Sequence, residues 1–298
     1  MKKITFYAAL LSLLAIPLIT ACSSGPKRQM SITTVRDSCL STIEAANASI
    51  LSGNYIQAEE LLSQAGTQAL SIDNYDLLLS VSLAYVSLYL SYNPPEISKA
   101  ENYIQQAHLL ISETSNKKES EVLCAMAEAR ILIAKNDVQN NYKSITDKID
   151  DAKKIFKDKP YNHAQCDSIL GDIYRLLGRY KDADKLYHEA ARLFTDNMYL
   201  SEIGITWYKI AQNHSLSGNK KEALEALNTA IYYDRCAENS MALGADYYIK
   251  AVILLKGKTS AESIAEAKKS LIHSAEIYNA ANLPELAEKS TELLNTLE

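Results

Sequence analysis

The chain has 298 residues, 47% apolar and 22% charged, with a formal charge of -5. That composition excludes a disordered tail, and its 9 Gly and 6 Pro, less than half the usual share, exclude collagen and argue against an all-β fold with tight hairpin turns. Lys and Arg never run longer than two, so the phosphate backbone of a nucleic acid has no basic stripe to bind.

Met1-Lys2-Lys3 precedes an apolar run from Ile4 to Ala21, ending in Pro17-Leu-Ile-Thr-Ala21 and then Cys22-Ser-Ser-Gly-Pro. A basic start, an apolar stretch and small residues before a cysteine read as a signal peptide over residues 1–21. Ile19-Thr20-Ala21-Cys22 resembles the lipobox of bacterial lipoproteins. The resemblance implies cleavage before Cys22, acyl chains such as palmitate on its amino-terminal end, and a body held at a membrane, facing the periplasm or the cell exterior. Two or more acyl chains anchor stably where one does not. Ser23 stands where Asp would divert an enterobacterial lipoprotein, which favours the outer membrane over the inner. Residues 22–30 then form a short lipidated tether, and residues 31–298 the folded body. Outside the cytoplasm Cys39, Cys124, Cys166 and Cys236 could pair in three ways, but they fall in or beside helical patterns and read as small buried hydrophobes.

The body repeats. Residues 166–194 and 206–234 align at an offset of 40, with Gly178 on Gly218, Ala183 on Ala223, Tyr187 on Leu227 and Ala190 on Ala230. Leu170, Gly171, Tyr174, Gly178, Tyr180, Ala183, Tyr187 and Ala190 resemble the tetratricopeptide (TPR) pattern, and Trp207 supplies the opening aromatic in the next unit. Small residues let helices approach and large ones fill the space between pairs. The second-helix signature recurs around Ala58, Ala100 and Ala267, spaced so that one further pair is hidden at residues 119–157, with helices around Val122–Ile133 and Ile145–Phe156. The reading is an all-α solenoid of about six TPR-like pairs at a period near 42, where the family has 34. Leu283–Leu297, with Pro284 in its first turn and Glu285, Glu288, Lys289 and Glu292 on one face, reads as a capping helix.

No catalytic constellation is present: GxSxG, HExxH, P-loop and GxGxxG are absent. No cofactor is implied. The cysteines have no metal-ligand spacing, and His108, His163, His188, His214 and His273 are at least 25 residues apart, so no metal site is expected. His214 takes the place of a packed Tyr and reads as a core residue. The TPR resemblance implies a groove along the first helices for a peptide or helix. Its positions fall here on Gln165, Ser168, Asp172 and Arg175, then Tyr208, Gln212 and Ser215. The expected function is a non-enzymatic, lipid-anchored adaptor or scaffold in the bacterial cell envelope, with a protein partner there. The alternative is an accessory TPR lipoprotein of a transporter that depends on a periplasmic solute-binding protein. An adhesin, or a hydrolase with an unrecognised site, carries least support.

Overall fold

The structure is a computed structural model and describes residues 34–140, 142–257 and 259–297. The signal segment and Cys22 lie outside the described residues. The chain divides into two units, Met1–Thr34 and Val35–Glu298.

Among the described residues there are thirteen α-helices and no strand. They are α1 (Thr34–Leu51), α2 (Tyr55–Ser71), α3 (Tyr75–Ser91), α4 (Ile97–Leu110), α5 (Lys117–Ala134), α6 (Tyr142–Ile155), α7 (Pro160–Leu176), α8 (Tyr180–Asp196), α9 (Leu200–Leu216), α10 (Lys220–Cys236), α11 (Ser240–Leu255), α12 (Ala261–Ala280) and α13 (Pro284–Asn295). The odd-numbered helices begin at residues 34, 75, 117, 160, 200, 240 and 284. This is the expected solenoid: six pairs, the hidden one being α5–α6, closed by α13 with Pro284 at its start.

The long period has a simple cause. Helices α2, α3 and α7 to α10 each have 17 residues, and in the run from α7 to α11 three residues join each helix to the next. Two such helices with their connections make a 40-residue unit, so each helix is nearly one turn longer than a 34-residue repeat permits. The connections share one closure. After α7 the Arg179 amide donates to the Tyr174 carbonyl five residues back, and the same bond follows α1, α2, α5, α8, α9, α10 and α12. This is the Schellman end, which needs one left-handed residue. Gly178 (φ 72°) and Gly218 (φ 89°) supply it at two turns inside pairs, whereas Asp73, Met198, Glu238 and Asn282 supply it between pairs.

Consecutive helices pack together, and so do the first helices of successive pairs: α3 with α5, α5 with α7, α7 with α9, α9 with α11. No comparable contact joins the second helices of successive pairs among the described residues. The first helices therefore form the inner layer. Ala58, Ala100, Ala183, Ala223 and Ala267 are fully buried at the closest approaches. Gly171 packs as closely: a Cβ there would sit 2.5 Å from the ring of Tyr187, itself fully buried. Cys39, Cys124 and Cys166 are buried free thiols, and Cys236 is free and exposed. No described helix is long and apolar enough to cross a membrane.

The first pair also reaches the last. The Tyr55 hydroxyl, which donates to the Ser91 carbonyl at 2.7 Å, lies 3.9 Å from Met241 Sδ on α11. Beside it, a Cβ on Gly53 would lie 2.9 Å from the side chain of Leu283.

Because Tyr187 has no room to yield, Gly171→Ala should destabilise the fold by about 1–3 kcal/mol. Urea unfolding followed by circular dichroism measures the loss; an unchanged midpoint would mean that α7 and α8 can separate freely.

Candidate functional site

The inner layer carries a chain of polar side chains that runs from α5 to α9. Arg130 on α5 donates from Nη2 to Gln165 Oε1 on α7 at 2.7 Å. Two turns further along α7, Asp172 accepts from the Tyr187 hydroxyl at 2.7 Å and from Lys209 Nζ of α9 at 2.6 Å. Lys209 also donates to Ser168 at 2.8 Å. Arg175 donates from Nε to the Tyr187 hydroxyl at 3.2 Å and stands 3.6 Å from Asp172.

Six of the seven expected groove residues thus join neighbouring parts of one surface, but in unequal roles. Ser168 and Asp172 are buried and occupied by Lys209 and Tyr187, so they shape the surface rather than offer themselves to a partner. Gln165 and Arg175 are half-buried. Tyr208 and Gln212 lie within hydrogen-bonding reach of each other, and burial and Asp246 push the Tyr208 hydroxyl up to about 12. Ser215 lies apart; its carbonyl accepts from Lys256 Nζ at 2.6 Å.

Charge on this surface is unbalanced. Arg175 and Lys209 share one carboxylate, Asp172. Arg130 has no carboxylate partner among the described residues, and loss of water pulls its pKa below the ordinary value. Burial works against the Arg175 charge too, but Tyr187 and Asp172 outweigh it and raise its pKa.

Further along, Asp234 on α10 and Asp246 on α11 are buried, and among the described residues no group outside the pair donates to any of their four oxygens. Asp234 occupies the repeat position of the buried Phe194, and a Cβ on Gly204 would overlap its carboxylate. Burial raises the pKa of both, and Asp234 raises Asp246 further. The stable arrangement is a shared proton, with Asp246 donating to Asp234. Tyr278 is adjacent: burial raises its hydroxyl, with Tyr208, Asp246, Tyr248 and Tyr55 adding to the effect. Tyrosines from α2, α9, α11 and α12 therefore approach one another, which repeat arithmetic did not reveal.

Two clefts open elsewhere. One of about 530 Å³ between α2, α3 and α4 is lined by Leu62, Leu70, Leu78, Val81, Tyr85 and Tyr103. The other, about 620 Å³, lies at the α7–α8 and α9–α10 turns and includes Asp182, Asp184, Asn213 and His214. His214 is half-buried and faces Asp184, where the sequence suggested a core residue. His188, expected to stand alone, also points to Asp184. The Asp184/His188 spacing of one helical turn was the signal that a search among histidines alone missed.

No protein-family model matches the chain, and no curated protein matches its sequence. Among solved structures, the chain is similar to a Rap protein complexed with competence and sporulation factor (19% identity, TM-score 0.58, covering 86% of this chain and 73% of that one). It is also similar to aspartyl phosphate phosphatase F from Bacillus subtilis (14%, 0.52, 89% and 71%) and to the apo form of RapI (13%, 0.51, 87% and 97%). At these identities the likeness is one of fold, a TPR-like helical solenoid.

A shared proton on the aspartate pair makes stability depend on pH. The folded state keeps a proton that the unfolded chain releases above the ordinary aspartate value of about 3.9, so this contribution is complete below that value and is lost as pH rises through the raised native ones. Asp167, which burial also raises against the pull of Lys153 and His163, adds to the same slope. Asp246→Asn should flatten the decline in urea midpoint between pH 5 and pH 8; an unaltered decline would show that the pair holds no such proton.

Proposed function

We propose that the chain is a lipid-anchored, non-enzymatic adaptor of the bacterial cell envelope, whose inner layer captures a peptide or helix carrying carboxylates. The observation behind the partner chemistry is the cation surplus on α5, α7 and α9. Among the described residues Arg130 hydrogen-bonds the neutral Gln165 and feels Asp172 only at longer range, while Arg175 and Lys209 divide Asp172 between them. A cation held beside few anions and little water gains more from an incoming carboxylate than one at an open surface. Tyr208 adds apolar area with a polar tip, suited to packing a bound segment. The Rap structure bound to competence and sporulation factor is a precedent, in a similar fold, for holding a second molecule.

Cross-linked capture from an envelope extract tests this reading. The wild type should recover a specific protein, and Arg130→Gln with Lys209→Gln should weaken its recovery at least tenfold while the helical spectrum stays intact. Recovery of nothing, or equal recovery by the double variant, would sink it. A solute-binding protein among the captured partners would assign the adaptor to transport; any other envelope protein would assign it to assembly or scaffolding.

The anchor rests on Ile19-Thr20-Ala21-Cys22. Cys22→Ala should abolish acylation and move the chain from the membrane fraction to the soluble one; continued membrane retention would rule out the lipid.

A further inference from the structure

We infer that Asp184, His188 and His214 form a binding site for a divalent transition ion of the zinc type, bridging α8 and α9. Asp184 and His188 are four residues apart on α8, which places both side chains on one face of that helix. The chain turn between α8 and α9 brings His214 against them. Each residue offers one ligand atom, and the three lie within 4.8 Å of one another. His214 Nε2 is 3.3 Å from Asp184 Oδ1, and His188 Nε2 is 3.8 Å from Asp184 Oδ2. With metal–ligand bonds of 2.0–2.1 Å, the edge of a coordination tetrahedron is about 3.3 Å, so the first distance already suits a bound ion.

The carboxylate supports the same reading. Asp184 Oδ1 is buried and accepts no hydrogen bond despite the nearby imidazole nitrogen. Of the cations lining the cleft, Arg179 is paired with Asp182 at 2.7 Å. Asn213, whose Oδ1 also lacks a partner, lines the same cleft as Asp184 and His214. Two imidazoles and one carboxylate make a borderline-soft ligand set that favours zinc-like ions over calcium or magnesium. Three protein ligands leave a fourth position for water or a further ligand.

The site has a built-in reporter. His188 meets Trp207 edge-on, with ring centroids 5.5 Å apart, and Trp207 is the single tryptophan of the chain. A quenching ion on His188 therefore lies beside the only indole.

The test uses the full, untagged chain with Cys22→Ser and Cys236→Ser, which removes every thiol except the buried Cys39, Cys124 and Cys166. Calorimetric titration with Zn²⁺ should show one equivalent bound. His214→Ala, and separately the shape-preserving Asp184→Asn, should weaken that binding tenfold or more. Cu²⁺ should quench Trp207 emission, Zn²⁺ should reverse the quenching, and His188→Ala should lose it. His188 is exposed and its replacement opens no buried space, which keeps the test valid if a change at Asp184 perturbs folding. Absence of Zn²⁺ binding by the parent chain, or equal binding and quenching in the variants, would overturn the site.

Discussion

A helix in this chain must stop where its neighbour needs the chain to reverse, and a left-handed residue followed by a five-residue backward hydrogen bond stops it. The same closure recurs after eight of the described helices. Because the stop falls at nearly constant intervals, equivalent side chains return to equivalent places, 40 residues apart in the best units. The buried alanines of the second helices then face the same spaces in pair after pair, and the first helices stay close enough to touch their successors. The lengthening from a 34-residue unit costs no regularity, since it adds nearly a whole helical turn to each helix and leaves the packed faces in register.

The inner layer departs from an ordinary hydrophobic stack. Replacing apolar side chains with a buried network of Asp172, Tyr187, Arg175, Ser168 and Lys209 gains little net stability, because desolvation offsets much of the attraction. What such a network supplies is definition. Tyr187 fits over Gly171 in one orientation, and its hydroxyl then fixes Asp172, which holds Lys209. The Asp234–Asp246 pair makes the opposite choice, placing an acid where the preceding repeat places Phe194 and depending on a proton to remain buried.

Much of this architecture is legible in the residues because small side chains at helical spacing have one dominant use. Ala183 and Ala223 announced their pairs directly, and the pair without an alanine signature, α5–α6, was still found from the double gap between Ala100 and Ala183. The inner-face positions were legible to the level of the helix face. Their availability was not, since Asp172 looks the same in sequence whether water or Lys209 surrounds it. Contacts across pairs were hidden for a different reason: His214 meets Asp184 from another helix, so no local spacing records the encounter. Asp234 was visible as an acid in place of Phe194, but its partner Asp246 comes from the following helix.

The contact of Tyr55 and Gly53 with Met241 and Leu283 bears on how such an array comes apart. In a linear stack, stability is a sum over neighbouring units, and the terminal ones fray first because each has a single neighbour. Here the first pair has a second neighbour, distant in sequence. Peeling away either end must break this contact as well as the local interface. The contact thereby ties together units distant in sequence, which nearest-neighbour stacking alone does not do.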